Sequence, residues 1–327
     1  MDDFRMMIRR TGGPEVIERE AITPSAPGAG EVRVRHRAIG LNFIDTYRRS
    51  GLYPVDLPAG LGSEAAGVIE AVGDGVEGFA PGDRVAYAAG PVGAYTTVRT
   101  MPAKELVHLP DDIDDETAAS AMLKGMTAAF LIEQCAKVRP GDTALVHAAA
   151  GGVGSILIQW LKAIGAAAIA HAGSPEKAAQ AEALGATHAL SCPMDALAAE
   201  VRALTGGRGV PVVLDGVGKA SWEASLGSVA RRGLIVSYGN ASGPVPPFDA
   251  LTLMKMGSIF VTRPTLGDYA HTPEERRALA DRLFAMIRGG IAVPVGQRLA
   301  LGDAAEAHRR LEARQTTGAT VLLPRNS

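Results

Sequence analysis

Cysteine is scarce in this chain: 327 residues include only Cys135 and Cys192, far apart and outside any Cys-x-x-Cys spacing. That excludes a disulfide framework and a zinc site built from four thiolates, and two free thiols suit a reducing compartment. Long apolar runs are missing as well. None without breaks reaches the roughly 18 residues of a membrane span. The opening MDDFRMMIRR has charges but no apolar stretch of the secretory kind, so a cytoplasmic location is expected. No charge of one sign dominates: 33 basic residues against 35 acidic ones leave a net charge of −2. The basic field of a dedicated nucleic-acid binder is therefore absent, and aromatic residues, at 5%, are few for rows of base-stacking platforms. Internal repeats and low-complexity tracts are absent too.

What is present suits two domains, each large enough for its own core. The first third is rich in Gly, Pro and short β-branched runs. EVRVRHRAIGLN, from Glu31 to Asn42, alternates polar and apolar residues as a half-buried strand does. AAGVIEAVGDGV and DRVAYAAG read the same way between turn signals. A helix is expected over DDIDDETAASAMLKGMTAAFLIEQCAKV, with Asp114 and Asp115 at its start. From Thr143 short apolar runs (TALVHAAA, AAAIAHA, HALSC, VPVVLDGV, GLIVSYG) alternate with helix-length stretches. The helices are expected at Val153–Ile164, Pro175–Leu184, Asp195–Leu204 and Ser221–Ala230. Such alternation means a parallel sheet buried on both faces. GSIFVTR is a further strand candidate, and the tail reads as two helices and a last strand, ATVLLP.

The strand ending in ALVHAAA runs into Gly151, Gly152, Val153 and Gly154 and then a helix. That is the layout of a dinucleotide-binding βαβ unit: the first two glycines allow a tight turn and a close approach to pyrophosphate, and the third allows close helix packing. The unpaired amides and dipole of the helix start then face the phosphates. An acid about 20 residues later would bind the adenosine ribose 2′-hydroxyl and select NAD. None ends the next strand, which reads Ala170, His171, Ala172, Gly173, Ser174, Pro175, Glu176, Lys177. Losing that carboxylate removes repulsion against a 2′-phosphate, and Ser174 with Lys177 can bind one, so NADPH is expected over NADH. Lys177 also reads as a solvated helix lysine, and Glu176 as a residue able to reach a ribose.

TGGPEVIE, GLNFIDTYRRSGLYP, GLGSEAAGVIEAVGDGV, GDRVAYA, LKGMTAAFL, HAAAGGVGSILIQWLK, LDGVG, RRGLIVSYGNASG and FVTRPTL follow one another along nearly the whole chain. In these segments the chain resembles the medium-chain dehydrogenase/reductase superfamily, and within it the zinc-free quinone oxidoreductases, the zeta-crystallin-like group. The resemblance implies an α/β protein: a GroES-like β-rich catalytic domain from residues 1–125 and 264–327, and a doubly wound Rossmann domain from residues 126–263. It places the nucleotide in a cleft between them. Where the zinc branch has its metal-binding Cys and the His of a GHE motif, this chain has LNFID and Ser63. Glu64 alone cannot supply three ligands, so alcohol oxidation is disfavoured and an electrophilic acceptor, a quinone or an activated enone, is expected.

Carried over residue by residue, the resemblance implies that Asn42, Phe43, Ile44, Asp45, Thr46 and Tyr47 line the nicotinamide end, with Tyr53 on the rim. Asn42 and Tyr47 would orient an acceptor carbonyl; loop capping and aromatic packing remain open for the three polar ones. Lys124, Thr127 and Phe130 would face the cofactor, and Gly173, Ser174 and Lys177 its 2′-phosphate. Cys192 stands where an adenine-stacking aromatic is frequent, and Val217 would border the adenosine ribose and nicotinamide path. Tyr238, Gly239 and Asn240, after Ser237, and Pro264, Thr265 and Leu266, after Arg263, would close on the nicotinamide ribose and amide; Arg314 is a further candidate. The seven histidines do not pair at metal spacing, and His147 reads as a satisfied core histidine.

The expected reaction is NADPH-dependent reduction of a quinone without metal, by hydride or single-electron steps, with the proton from water or Tyr47. The alternatives are a reductase of enal or enone C=C bonds and an NADPH-binding structural or RNA-binding protein of the zeta-crystallin type. A homodimer is expected through the strand GSIFVTR, an apolar edge that a partner covers.

Overall fold

The computed structural model describes residues 3–313 and 315–324. The chain opens with β1 (Phe4–Ile8), β2 (Ile17–Ala21), β3 (Glu31–Leu41), α1 (Phe43–Ser50), β4 (Ala59–Gly60), β5 (Glu64–Val72), β6 (Arg84–Ala88), β7 (Val98–Pro102), β8 (Val107–His108) and α2 (Asp115–Ala129). It continues with β9 (Thr143–His147), α3 (Gly152–Ala163), β10 (Ala167–His171), α4 (Pro175–Ala183), β11 (His188–Leu190), α5 (Leu197–Leu204) and β12 (Val210–Asp215). Then come α6 (Trp222–Ser228), β13 (Val229–Ser237), α7 (Ala250–Lys255), β14 (Phe260–Thr262) and α8 (Leu266–Tyr269). The last elements are α9 (Pro273–Arg288), β15 (Val295–Ala300), α10 (Ala304–Glu312) and β16 (Ala319–Leu323). They form two compact units, Met1–Met126 with Tyr269–Ser327, and Thr127–Asp268. Residues 264–268, expected with the first domain, group with the second unit.

The first unit is β-rich. Its larger sheet runs β15-β16-β3-β5-β6-β8, with β7 also on β3, and a small sheet runs β2-β1-β4. Strand β3 shows why: Val32, Val34 and His36 alternate inward with Arg33, Arg35 and Arg37 outward before the strand becomes buried on both faces. Its core joins Ile8, Val34, Ile39, Leu61, Tyr87 and Tyr95 to Leu301 and Leu322, so the returning chain end completes it. β15, which the sequence pattern did not single out, pairs in parallel with β16.

The second unit is a six-stranded parallel sheet in the order β11-β10-β9-β12-β13-β14. Counted from β9 as strand one, this is the 3-2-1-4-5-6 order of a doubly wound dinucleotide fold. The strands are almost continuously apolar because both faces are covered, and their core packs Leu145, Ile169, Val213, Trp222 and Ile235 together. The helix expected to run on from α2 changes pitch at Phe130, and Phe130–Cys135 is a π-helix. There Ala136 donates to the Leu131 carbonyl five residues back.

Candidate functional site

In a doubly wound sheet, ligands sit beyond the carboxyl ends of the strands, where the strand order reverses. Here β10, β9, β12 and β13 end side by side on His171, His147, Asp215 and Ser237. Ala148 follows β9 with φ +50, and its carbonyl accepts from Gly151 at 2.8 Å, which closes the turn. A Cβ on Gly154 would lie 2.4 Å from that carbonyl oxygen, so glycine is required there. α3 begins at Gly152 with no acidic residue in its first turn. Its open amides thus face outward with no competing carboxylate, an arrangement that fits the phosphates of a dinucleotide.

The neighbouring strand end follows the same logic. Ser174 caps α4 and accepts from the Lys177 amide at 3.3 Å. Lys177 is half-buried, and no atom of the structure would meet a Cβ on Gly173, so the approach to this helix start is open. The exposed Glu176 carboxyl is held below its usual range by the Ser174 hydroxyl, which draws it into the cap. Cys192 is half-buried against the core cluster, and its carbonyl meets His171 Nε2 at 3.0 Å.

Past β12 the chain turns on Asp215. Its carboxylate accepts from the Val217 and Gly218 amides at 2.8 and 3.2 Å, and from the Ser221 and Ser225 hydroxyls at 2.7–2.8 Å. Ser225 spends its proton on Asp215, so at 3.0 Å it accepts from His147 Nε2. That leaves His147 Nδ1 as a buried acceptor with no partner among the described residues. The histidine expected to be satisfied is satisfied on one side only. Tyr238 donates its amide to the Asp215 carbonyl, and its ring covers Gly216, where a Cβ would meet ring atoms at 2.8–2.9 Å. Gly239 lies so close to the Gly216 carbonyl that a Cβ would sit 2.4 Å from it, and the Asn240 carbonyl accepts from Gly243. Pro264 offers its carbonyl to Arg263, Thr265 donates to Asp268, and Leu266 is buried. Thr127 is half-buried and Phe130 buried in the π-turn.

The first unit carries a separate polar group. Asn42 precedes α1, and its amide donates to Asp45 at 3.0 Å, while Thr46 donates to the Phe43 carbonyl. The Asn42 side chain donates to Glu64 Oε1 at 2.7 Å. Glu64 is fully buried and also takes Lys124 Nζ at 2.8 Å and the Leu123 amide at 2.6 Å. Next to it Ser63 accepts from Arg48 at 2.7 Å and donates to Asp45 at 2.7 Å. Phe43, Tyr47 and Tyr53 are half-buried in an aromatic row, with Tyr47 and Tyr53 centroids 5.3 Å apart and Phe43 and Tyr47 6.2 Å apart. Ile44 is half-buried beside them. Arg314 lies outside the described residues.

This donor set does not fit a zinc ion. Asn42 and Ser63 hold no thiolate or imidazole, and the Glu64 oxygens are already committed to an ammonium and two N–H groups. Among the described residues no three His, Cys, Asp or Glu lie close enough together to hold a metal.

Sequence reasoning missed how far the group extends inward. Tyr95 donates to Asp45 at 3.1 Å and sits 3.1 Å from His308 Nε2. Arg49 then joins His308 to Glu312 through a two-pronged ion pair. Burial, outweighing the Ser63 hydrogen bond and the nearby Arg48 charge, raises the Asp45 carboxyl from 3.8 to about 6. Burial, aided by Arg49, lowers His308 to about 3, and burial lowers His36 to about 4. These shifts work against each other. A raised carboxyl binds its proton more tightly in the native state, so the stability from Asp45 is complete below its unfolded value and is lost as pH rises through about 6. A lowered imidazole does the reverse: its share is complete above 6.5 and is lost as pH falls toward about 4 for His36 and about 3 for His308. Two histidines outweigh one carboxyl, so acidification below about pH 6.5 destabilises the fold. Asp45→Asn removes the opposing contribution. Its melting temperature should fall further between about pH 7 and 5 than the wild type's; an equal fall in calorimetric melts would show that Asp45 does not hold that proton.

Two family models match the chain, the alcohol dehydrogenase GroES-like domain over residues 28–111 and the zinc-binding dehydrogenase over residues 152–284. The chain is 55% identical to the quinone oxidoreductase of Pseudomonas aeruginosa over 98% of its own length and 99% of that protein's. It is 41% identical to the 2-haloacrylate reductase of a Burkholderia species, over 97% of this chain and 98% of that one. Among solved structures, the Escherichia coli quinone oxidoreductase complexed with NADPH superposes with a TM-score of 0.95 at 43% identity, covering 98% of this chain and 100% of that chain.

Proposed function

The chain belongs to the zinc-free quinone oxidoreductases of the medium-chain dehydrogenase/reductase superfamily, and from that premise we infer that it is an NADPH-dependent quinone reductase. The observation that carries the reading is the state of Glu64. In its buried seat this carboxylate is paired with Lys124, so it is not free to ligate a metal, and the seat suits an acceptor that is already electrophilic.

The α3 amides and the Gly151–Gly154 turn would hold the pyrophosphate, and Ser174, Gly173 and Lys177 the 2′-phosphate. Bound NADPH supplies a hydride, and one further proton from solvent completes the hydroquinone. The protein contributes position more than acid–base chemistry: Asn42 and Lys124 are held by Glu64, and Tyr47 and Tyr53 offer flat surfaces to a planar acceptor. The test is NADPH consumption across naphthoquinone, phenanthrenequinone and a simple enone, with NADH alongside. Turnover of the quinones with preference for NADPH is expected; no quinone turnover removes the reading.

The likeness to a 2-haloacrylate reductase supports a second reading, reduction of an activated C=C bond. That chemistry needs a committed proton donor at carbon, and Tyr47 is the candidate. Tyr47→Phe is then expected to slow an enone by about 10²-fold, within the range of general acid catalysis, and a quinone by much less. Equal losses would deny Tyr47 that role.

The quinone reductase acts as a homodimer in this reading. β14 has one strand neighbour, β13, and its Phe260 is 61% exposed, with Leu251 and Met254 of α7 also exposed. Light scattering at micromolar concentration should report about twice the 33.8 kDa of one chain; a mass of one chain would remove this part. Among the described residues no helix is long and apolar enough to cross a membrane.

A further inference from the structure

Two organic cations flank the positions that hold metal ligands in zinc relatives, and they are used differently. Lys124 is consumed: its ammonium sits 2.8 Å from the buried Glu64, and its side chain is 8% exposed. Arg48 is not. It is half-buried on α1, directly after Tyr47, and its one side-chain hydrogen bond among the described residues is from Nη1 to the Ser63 hydroxyl at 2.7 Å. A guanidinium carries five N–H donors in a planar fork, so that contact leaves four of them free. No carboxylate lies within ion-pair distance of it among the described residues. Asp45 is hydrogen-bonded to it only through Ser63 and acts on it as a charge at longer range, and the Asp45 oxygens already take Ser63, Tyr95 and the Asn42 amide. The contrast with its neighbour is plain: Arg49 turns inward and spends its fork on Glu312, the Gly12 carbonyl and His308. A guanidinium with four free N–H donors, carried on α1 one residue after the half-buried Tyr47, suits a flat molecule with an anionic oxygen pair at its rim.

Resting on the quinone-reductase reading, we propose that Arg48 is the specificity residue of the acceptor site and that the site takes planar acceptors bearing a carboxylate or sulfonate. The free fork receives the anionic oxygens while the rings of Tyr47 and Tyr53 cover the conjugated face. Ser63 fixes the guanidinium, so little rotamer freedom is lost on binding.

The test compares a naphthoquinone sulfonate with the unsubstituted naphthoquinone in wild type, Arg48→Met and Arg48→Lys, using kcat/KM with NADPH saturating. Wild type should prefer the sulfonate, and that preference should weaken as salt is raised. In Arg48→Met the ratio of sulfonate to neutral kcat/KM should fall by about 10- to 100-fold, the worth of a charged hydrogen bond. Arg48→Lys should recover part of it through charge without the fork. A merely structural Arg48 would slow both acceptors together and leave the ratio unmoved; that result, or a wild type indifferent to acceptor charge and salt, overturns the proposal while quinone reduction stands. If neither quinone is reduced, the underlying reading fails first and the proposal with it. Should Arg48→Met not fold, the wild-type ratio and its salt dependence still decide the matter.

Discussion

Replacing Lys124 by methionine is expected to destabilise the first unit by about 3–5 kcal/mol, because it leaves a fully buried carboxylate without its counter-ion. Glu64 is fully buried, and its three donors are Lys124 Nζ, the Leu123 amide and the Asn42 side chain. Two neutral donors stabilise a carboxylate, but they do not cancel its charge. The backbone also packs closely on one side of the seat: a Cβ on Gly40 would lie 2.2 Å from Glu64 Oε1 and 2.1 Å from the Ala119 carbonyl. The carboxylate is therefore closed off on the Gly40 side. Methionine fills the lysine's volume without its charge, so the loss reports electrostatics rather than a cavity. The double variant Lys124→Met with Glu64→Gln should regain most of the stability, since a neutral amide fits the same donors. Thermal and urea melts of the two singles and the double give the coupling directly. If Lys124→Met melts within a degree or so of wild type, the pair is not what holds this site together.

The fate of these residues separates what the sequence carries from what it cannot. The Rossmann half was legible because its signals are local: an apolar strand, a glycine turn and a helix occupy consecutive positions. The strand order is that of the doubly wound fold which the resemblance implied. The family segments gave the acceptor side its residues, but not their bonds. Glu64 and Lys124 are 60 positions apart, and Arg49 and Glu312 are 263 apart. No periodicity links such pairs: α2 packing back on β5 brings the first together, and the returning chain end the second. Tyr95 and His308 gave no signal at all, since a buried tyrosine and a buried histidine look like ordinary core and surface residues in one dimension. Arg48 and Arg49 illustrate the limit most sharply. Side by side in sequence, they differ only in the helix face, and that decides which becomes a buried ion pair and which keeps its donors. The π-turn at Phe130 was invisible for a related reason: it changes hydrogen bonding by one residue without changing which side chains are apolar.

Asp215→Ala should be the most damaging single change in the second unit, at about 4–5 kcal/mol, with NADPH binding weakened alongside. The residue ends β12 fully buried, and four donors converge on it. Alanine leaves the Val217 and Gly218 amides and the Ser221 and Ser225 hydroxyls without an acceptor, each orphan costing about 1–3 kcal/mol with incomplete addition. Ser225 is also the only hydrogen-bond partner of the His147 ring among the described residues, so the disturbance passes to the strand that feeds the glycine turn. The backbone after Asp215 depends on this anchor. Gly218 stands at φ +89, and Gly216 lies beneath the Tyr238 ring and against Gly239. Release of the Val217 amide should therefore loosen the segment proposed to border the adenosine ribose and the nicotinamide path, and the KM for NADPH should rise about tenfold or more, as for a lost charged hydrogen bond. Asp215→Asn keeps the shape and one acceptor oxygen, so it can still receive the two amides, but its NH2 group must face a serine. It should fall between wild type and alanine in both melting temperature and NADPH KM. The ordering of the three forms is the sensitive readout. An alanine variant as stable as asparagine, with an unchanged KM, would mean that the loop after β12 holds its shape without the carboxylate, and that Val217 has no part in placing the cofactor.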